Sequence, residues 1–334
     1  MGEFDLICRH FAQPAAQLWG GAAAPESLVL GIGDDCALLA PEPGQQLAIS
    51  SDMLVEDRHF FADVDPCTLG HKALAVNLSD LAAMGAAPLG FTLALALPRA
   101  DEAWLAAFSQ GLLALAQQHH CPLVGGDTTR GPLNLCITVF GQVPVGQALR
   151  RSGAQPGDDI YLSGTVGDAR LALEALLGHI TLPADVLQRT RQRLECPAPR
   201  LALGQALRGI ATAAADVSDG LLGDLGHILT ASGVGAELYP ETLLQSAAVS
   251  DAVRQQPLEL AWTCALAGGD DYELVFTAPP TVRAAVQVAT ERAHTVATRI
   301  GRVVAERGVL LLGADGHALP SDQMPVLRGF DHFS

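Results

Sequence analysis

Apolar residues recur along this chain with helical and strand-like spacing in alternation. A helix is predicted over 71–84, because Leu74 and Leu78 recur on one of its faces. Asn77 and Asp80, three residues apart, are neighbours on its other side. Further helices are predicted over 101–119, with Asp101 as the N-cap, and over 167–177, 200–207, 221–229 and 281–293. Strands are predicted over 28–32, 46–50, 91–97, 133–143, 160–163, 273–277, 300–304 and 309–312. Such alternation is typical of an α/β protein.

Turn-forming glycine and proline residues cluster over 144–158, between two apolar segments. We therefore predict a domain boundary there, with one domain over 1–145 and a second over 146–334. The chain has 334 residues, of which 49% are hydrophobic and 17% charged. This composition is globular, and the length allows two sizeable cores.

The charge balance excludes several partners. Lys and Arg number 20 against 36 Asp and Glu, which gives a formal net charge of -16. Nucleic acid or an anionic membrane would repel such a chain unless it had a basic patch, and the sequence shows none. Residues 1–20 lack the features of a signal peptide, and the apolar run at 89–97 is too short to span a bilayer. We expect a cytoplasmic protein that binds neither nucleic acid nor membrane.

The cysteines do not indicate a metal or disulfide framework. Seven are present and none forms a Cys-x-x-Cys pair. Their odd number and wide spacing fit reduced thiols better than disulfides or a zinc site.

Six short acidic motifs are spread over most of the chain, and in each of them aspartate stands beside glycine or serine. They are Gly-Ile-Gly-Asp-Asp at 31–35, Ser-Asp at 51–52, Asn-Leu-Ser-Asp at 77–80, Gly-Gly-Asp at 125–127, Asp-Val-Ser-Asp-Gly at 216–220 and Gly-Gly-Asp-Asp at 268–271. Each alone fits a helix cap or a solvated turn, but six are hard to attribute to capping. Glycine permits close backbone approach, and hard cations prefer oxygen ligands. We therefore expect loops that converge on a metal-rich site for phosphate.

Other phosphate-binding motifs are excluded or weak. The single lysine, Lys72, is followed by alanine, so a Walker loop is excluded. Gly31-x-Gly33 lacks the third glycine of a dinucleotide fingerprint. Divalent cations that bridge aspartate to phosphate remain as the means to hold a triphosphate among carboxylates. The glycine pair at 125–126 would let backbone N–H groups come close to a phosphate, and the N-terminus of the helix at 221–229 would add its partial positive charge to the site.

Five segments, taken in order, carry a family resemblance. They are Gly-Ile-Gly-Asp-Asp-Cys-Ala at 31–37, His-Lys-Ala-Leu-Ala-Val-Asn-Leu-Ser-Asp-Leu-Ala-Ala-Met-Gly-Ala at 71–86, Gly-Gly-Asp-Thr-Thr at 125–129, Asp-Val-Ser-Asp-Gly-Leu at 216–221 and Gly-Gly-Asp-Asp-Tyr-Glu-Leu at 268–274. The chain resembles the thiamine-monophosphate kinase family over nearly its whole length. That family shares a superfamily with aminoimidazole-ribonucleotide synthetase and selenophosphate synthetase.

The resemblance implies a two-domain α/β (α+β) fold. The N-terminal domain, 1–145, would have a mixed sheet with helices, bind ATP and metal, and pair with its twin in a homodimer. The C-terminal α/β domain, 146–334, would close the active-site cleft. The implied reaction is ATP-dependent phosphorylation of thiamine monophosphate to thiamine diphosphate, the final step of thiamine diphosphate biosynthesis. Direct in-line phosphoryl transfer would be assisted by several Mg²⁺ ions.

The resemblance also implies residue roles, carried over position by position. The implied metal ligands are Asp35, Ser50, Ser51, Asp52, Asp80, Asp127, Asp216 and Asp219. The implied ATP contacts are Gly126, Asp127, Arg151 and Ser218. The implied substrate contacts are His59, Asp270 and Leu327.

Three positions depart from the family pattern. Asp57 stands where the family usually has glycine, two residues before His59. Asp270 stands where glutamate is frequent, and Leu327 stands where an aromatic residue is frequent. We expect these departures to bear on the substrate side of the site.

Two other functions are compatible with the residues alone. One is a different ATP-using member of the superfamily with another acceptor, although Cys8 matches poorly the reactive cysteine that selenophosphate synthesis requires. The other is a non-catalytic acidic metal-binding or scaffold protein, but no segment matches an EF-hand loop. Stabilisation by magnesium, ATP and thiamine monophosphate together would distinguish the kinase from both.

Overall fold

The computed structural model describes residues 3–19, 25–313 and 315–319. The chain divides into two compact units. One contains Met1–Leu81 and Ala86–Gly146, and the other contains Ala82–Gly85 and Gln147–Ser334.

In its described residues, the first unit combines two small antiparallel strands, a four-stranded sheet and four helices. Its strands are β1 (Leu28–Leu30), β2 (Leu38–Leu39), β3 (Gln45–Val55), β4 (Ala87–Leu97), β5 (Leu123–Arg130) and β6 (Asn134–Pro144). Its helices are α1 (Glu3–Ile7), α2 (Gln13–Trp19), α3 (Pro66–Ala83) and α4 (Glu102–Gln118), with a π-helix at Cys8–Ala12 between α1 and α2. The four-stranded sheet has the order β3-β6-β4-β5 and is mixed, because only β4 and β5 run parallel.

The two long helices of this unit pack at very short distance. A Cβ on Gly70 of α3 would lie 2.1 Å from the carbonyl oxygen of Phe108, and one on Gly111 of α4 would lie 1.9 Å from that of Cys67. Glycine at both positions therefore permits the crossing. Asp101 caps α4 as predicted, since its carboxylate accepts the N–H groups of residues 103 and 104.

The face of the four-stranded sheet that points away from α3 is open to solvent in the single chain. On β3 it presents Leu47, Ile49 and Met53, each more than half exposed. We call this surface the open face; it also includes the half-buried Thr138 and Phe140 of β6. Contiguous exposed apolar residues of this kind are typical of an interaction surface.

The second unit is built on a six-stranded sheet. Its strands are β7 (Asp159–Ser163), β8 (Ala213–Asp216), β9 (Gly235–Leu238), β10 (Leu274–Ala278), β11 (Ala297–Val304) and β12 (Gly308–Leu311), in the order β12-β9-β11-β7-β10-β8. Its helices are α5 (Asp168–Leu176), α6 (Ala184–Glu195), α7 (Leu201–Ala206), α8 (Leu221–Ser232), α9 (Pro240–Gln245), α10 (Asp251–Arg254), α11 (Leu258–Trp262) and α12 (Arg283–Arg292). A π-helix at Thr263–Ala267 follows α11, and a 3-10 turn at Pro280–Val282 precedes α12.

β10 lies between β7 and β8 and is antiparallel to both. The loops that follow β7 and β8 therefore emerge at the same end of the sheet as the loop that precedes β10. Buried apolar residues such as Ile160, Val217, Leu225 and Val275 fill the core beneath them. The predicted α/β class is confirmed.

The main errors of sequence reasoning concern length and short elements. β3 runs from Gln45 to Val55, well beyond the predicted strand at 46–50. β5 was not predicted, because glycine at 125 and 126 indicated a turn. The amphipathic helix α6 and the short helices α9 to α11 were also missed.

Candidate functional site

Four polar residues of the first unit meet where β3 faces α3. The Ser50 hydroxyl donates to the Asp80 carboxylate, and the Asp52 backbone N–H donates to the side-chain oxygen of Asn77 at 3.2 Å. Asn77 is fixed in turn, because its amide nitrogen donates to the Ala73 carbonyl at 3.1 Å. The predicted neighbours Asn77 and Asp80 thus face the strand that carries Ser50 and Asp52. Oxygen atoms dominate this group, as hard cations prefer.

Ser51 and Asp127 lie on the open face. The Ser51 hydroxyl hydrogen-bonds the Thr138 hydroxyl at 3.0 Å. Strand pairing across the sheet puts Asp127 of β5 in one row with Met53 of β3. Asp52 belongs to the opposite face, because successive residues of a strand alternate.

The same sheet keeps Asp52 and Asp127 far apart within one chain. β3 and β5 are the two edge strands, separated by three strand spacings, which amounts to about 14 Å. The two carboxylates therefore do not approach each other in the single sheet.

Gly126 is required by a close backbone approach. It has a φ of 149°, and a Cβ there would lie 1.9 Å from the Leu93 carbonyl oxygen of β4. Gly125 has more room, since its Cβ would meet only the Thr92 methyl at 3.7 Å. The glycine pair lies within β5, so the expectation of a loop at this motif is wrong.

Asp35 lies on the exposed loop between β1 and β2. Its backbone N–H donates to the Asp34 carboxylate at 2.9 Å. Asp35 is thus the one first-unit ligand candidate that lies on a loop; the other carboxylates, Asp52, Asp80 and Asp127, lie on strands or a helix. The expectation of a loop is wrong for Asp52 and Asp127, whereas Asp80 lies on the helix predicted over 71–84.

His59 closes a tight turn at the end of β3. The Val55 backbone N–H donates to its Nδ1 at 3.0 Å, and the His59 N–H returns to the Val55 carbonyl at 3.0 Å. The neutral ring therefore carries its proton on Nε2. Asp57 within the turn has a φ of 63°, a left-handed conformation. Aspartate tolerates this region better than most residues, so Asp57 adopts the conformation that glycine would take freely.

In the second unit, the candidate residues gather at one end of the six-stranded sheet. Asp216 is the buried last residue of β8, and Ser218 and Asp219 follow it on the loop before α8. Asp270 lies on the loop before β10, with a φ of 64°. Its N–H donates to the Ser218 carbonyl at 2.8 Å, and the Tyr272 N–H donates to the Val217 carbonyl at 2.8 Å. The two loops are therefore joined by backbone hydrogen bonds.

One buried carboxylate organises the loop before α8. Asp224 accepts the backbone N–H groups of Ser218, Asp219 and Gly220 on a single oxygen, at 3.0, 3.0 and 3.1 Å. Burial raises the pKa of the Asp224 carboxyl to about 6, and the nearby Asp219 charge adds to that rise. Asp224 therefore occupies the three amides that lead into α8, and the expectation that the N-terminus of this helix adds partial positive charge to the site stays a prediction.

Two more buried carboxylates hold the neighbouring loops. Asp271 accepts the Gly167 N–H on both oxygens at 3.0 Å, and burial raises its pKa well above the ordinary value. Glu273 is fully buried and accepts from the Ser163 hydroxyl at 2.6 Å. It also forms ion pairs with Arg193 and Arg200. Arg193 of the arginine-rich α6 thus contributes to the interior.

Two candidate residues, Arg151 and Leu327, remain to be placed. Arg151 is exposed, and its carbonyl accepts the Ser232 hydroxyl at 3.2 Å. Leu327 lies outside the described residues, so its predicted substrate contact stays a prediction.

The donor chemistry fits magnesium. Among the residues that the structure describes, no three His, Cys, Asp or Glu side chains are grouped so as to hold a metal ion. Mg²⁺ is usually bound by one or two carboxylates together with substrate phosphates and water, and does not need an all-protein cage. The carboxylate and hydroxyl pair of Asp80 and Ser50 is compatible with such a site.

Sequence reasoning missed the supporting residues. Asp224, Asp271 and Glu273 were not singled out as contacts to backbone or arginine. The one local signal was Asp224, an acidic residue in the first turn of a predicted helix, a position that commonly contacts N-terminal amides.

No helix in the described part of the chain has the length and apolar character needed to cross a bilayer.

Comparison with known proteins gives matches over the whole chain. Residues 33–143 match the N-terminal domain of AIR synthase related protein, and residues 155–312 match its C-terminal domain. Thiamine-monophosphate kinase of Salmonella typhimurium is 46% identical over 337 residues, which covers 100% of this chain and 98% of that protein. The chain belongs to the thiamine-monophosphate kinase family. It is therefore a kinase by family membership.

Solved structures of thiamine-monophosphate kinases agree with this assignment. The crystal structure of the enzyme from Stenotrophomonas maltophilia K279a has a TM-score of 0.83 and 47% identity, and the match covers 96% of this chain and 98% of that one. AaThiL complexed with AMPPCP and TMP has a TM-score of 0.72 and 29% identity, with 88% and 89% covered. The two-domain fold is thus that of the thiamine-monophosphate kinase family.

Proposed function

We propose that this protein transfers the terminal phosphoryl group of ATP to thiamine monophosphate, which gives thiamine diphosphate and ADP. The observation that carries the proposal is the full-length similarity to thiamine-monophosphate kinases at 46% identity. The complex of a relative with AMPPCP and TMP supports the pairing of a nucleotide with this acceptor.

The acceptor supplies its own nucleophile. A phosphate monoester has a second pKa of about 6, so thiamine monophosphate is mostly dianionic at neutral pH. No strong general base is needed, and we propose direct in-line transfer in which positioning and charge neutralisation provide catalysis. The residues of this chain then bind and orient two anions.

We propose that several Mg²⁺ ions are held by Asp35, Ser50, Ser51, Asp52, Asp80, Asp127, Asp216 and Asp219. Bound magnesium neutralises phosphate charge and orients the reacting groups. Support comes from the oxygen-only donor set, and from Ser50 and Asp80 lying in contact. The net charge of -16 would otherwise oppose binding of a triphosphate.

We propose that Gly126, Asp127, Arg151 and Ser218 contact ATP and that His59, Asp270 and Leu327 contact thiamine monophosphate. His59 would act as a neutral hydrogen-bond donor through Nε2, because its Nδ1 accepts from the Val55 N–H. Ser218 would contact the nucleotide through its hydroxyl, because its amide is bound to Asp224.

We also propose a homodimer, formed through the open face of the four-stranded sheet. Leu47, Ile49 and Met53 would be covered in such a pair.

The test is a product assay. Purified protein is mixed with ATP, magnesium and thiamine monophosphate, and thiamine diphosphate is measured by chromatography, with unphosphorylated thiamine as the control acceptor. Product from the monophosphate alone supports the proposal. ATP binding without product would instead indicate a superfamily member with another acceptor.

The metal assignment has its own test. Asp80→Asn should raise the magnesium concentration needed for half-maximal rate by about tenfold or more, because it removes one charged ligand. Normal turnover of Asp80→Asn at low magnesium would refute the assignment of Asp80.

A further inference from the structure

Asp224 has no place in the proposed metal, nucleotide or substrate sets, yet it makes a distinctive set of contacts. One carboxylate oxygen accepts three consecutive backbone N–H groups, those of Ser218, Asp219 and Gly220. The residue is 2% exposed, so its carboxylate faces the protein interior and not solvent. Asp224 is the fourth residue of α8, and its carboxylate contacts the loop that precedes this helix.

The loop that Asp224 holds also fixes a second loop. Asp270 donates its N–H to the Ser218 carbonyl at 2.8 Å. The Val217 N–H donates to the Glu273 carbonyl at 2.8 Å, which continues the pairing of β8 with β10. A change at Asp224 would therefore reach Asp270 through backbone hydrogen bonds.

Two glycines show how closely these loops are packed. A Cβ on Gly269 would lie 2.4 Å from the Ser218 carbonyl oxygen, and one on Gly220 would lie 2.8 Å from the Ala267 carbonyl oxygen. The loops have no room to shift independently of each other, because interiors pack at near-crystalline density.

Three backbone amides, and no cation among the described residues, offset the burial of the Asp224 carboxylate. In the described part of the chain, no arginine or lysine forms an ion pair with it, and its neighbour Asp219 carries the same charge. A buried carboxylate without a cation costs folding free energy. Such a group is favoured where its acceptor oxygen fixes the geometry of a neighbouring loop.

We propose that Asp224 is a positioning residue, which holds Ser218 and Asp219, and through them Asp270, in the arrangement that binds nucleotide, metal and acceptor. This inference rests on the proposed function for the roles of those three residues. Asp224 itself touches no substrate and acts through the backbone of the loop.

The experiment compares Asp224→Ala, Asp224→Asn and the control Asp159→Asn in the full-length protein. Asparagine keeps an acceptor oxygen for the three amides but removes the charge. Asp159 is also a buried carboxylate of this unit, but it lies at the start of β7, whereas the loops follow the other end of that strand. Each variant is measured for amide hydrogen exchange at 218–220, for KM and kcat, and for magnesium dependence.

We expect Asp224→Ala to exchange these amides faster and to raise the KM for ATP and for thiamine monophosphate by about tenfold or more, as loss of several hydrogen bonds to a charged group implies. The half-saturating magnesium concentration should rise as well. Asp224→Asn should restore most of the exchange protection and KM, and Asp159→Asn should leave both within about twofold.

A folded Asp224→Ala with unchanged exchange and unchanged KM would overturn the proposal. So would an equal loss of activity in Asp159→Asn, because the effect would then be one of general stability. If Asp224→Ala does not fold, hydrogen exchange of the wild-type protein still tests the proposal. Rapid exchange of its amides at 218–220 without ligand would also overturn the proposal. Wild-type protein that makes no thiamine diphosphate would refute the proposed function, whereas the exchange comparison would still test what Asp224 holds.

Discussion

The two units hold their candidate residues by different means. In the first unit, Asp52, Asp80 and Asp127 lie within β3, α3 and β5, so regular backbone hydrogen bonding fixes them. In the second unit, Ser218 and Asp270 lie on loops. Buried carboxylates hold these loops and the neighbouring loop after β7, and each of them accepts hydrogen bonds from backbone or side chain.

This difference predicts where each unit is vulnerable. A strand or helix keeps its geometry when a neighbouring side chain is changed, because the backbone bonds remain. A loop whose amides depend on one carboxylate loses that geometry with the side chain. Substitution of a buried polar residue should therefore lower the free energy of unfolding more in the second unit than in the first.

The largest effect is expected at Glu273. Its carboxylate is fully buried and pairs with Arg193 and Arg200, so Glu273→Gln leaves two guanidinium groups without their counter-ion. We expect the free energy of unfolding to fall by about 3–5 kcal/mol. Urea unfolding followed by circular dichroism measures this.

The matched control for that change is Glu237→Gln on β9. Glu237 pairs with Arg302, whose side chain is more than half exposed, and we expect a loss of about 1 kcal/mol or less. Equal losses in the two variants would contradict the special role of Glu273, whose carboxylate is fully buried between two arginines.

In the first unit, the sharpest test is backbone substitution within β5. Gly126→Ala puts a Cβ against the Leu93 carbonyl in a left-handed conformation, and we expect a loss of about 1–3 kcal/mol from strain. Gly125→Ala should change stability by less than about 1 kcal/mol, because its Cβ meets only a methyl group at an ordinary distance. Thermal unfolding of both variants tests this, and a Gly126→Ala as stable as Gly125→Ala would contradict the close approach.

Asp159 allows a pH-dependent test, because this buried carboxylate forms ion pairs with two arginines. Burial alone would raise the pKa of this carboxyl, but Arg283 and Arg299 outweigh burial and hold it below its ordinary value. Its stabilising contribution is therefore present above about pH 4 and is lost as the pH falls through the lowered folded-state pKa.

We expect Asp159→Asn to lower the free energy of unfolding by about 1–3 kcal/mol at neutral pH. The difference in free energy of unfolding between this variant and the wild type should become smaller on acidification. The KM values should be unchanged. Urea titrations across the acidic range measure this difference, and a difference that stays constant there would show that charge is not its source.

The smallest effect is expected at Asp57. Valine is strained at a φ of 63°, so Asp57→Val should cost about 1–2 kcal/mol. Asp57→Gly should change stability by less than about 1 kcal/mol, since relief of the backbone is offset by a more flexible unfolded chain. If the two variants unfold at the same temperature, the left-handed turn before His59 is not required.

Local signals predicted the parts of the site that depend on local physics. The three-residue spacing of Asn77 and Asp80 puts both toward β3 once the helix forms. Asp101 was predicted as an N-cap for the same reason, because capping depends only on the next few residues. Glycine at 125 and 126 misled the prediction, because the close approach to β4 is a contact between distant strands.

The sequence by itself determined the α/β class, the long helices and the acidic motifs, since periodicity, caps and family pattern act over short stretches of chain. Only the tertiary structure decided which residues hold those motifs. The carboxylate of Asp271 meets the amide of Gly167 across 104 positions, and Glu273 meets Ser163 across 110. Such contacts arise because buried polar groups must find partners wherever the fold brings them, and no local pattern specifies that partner.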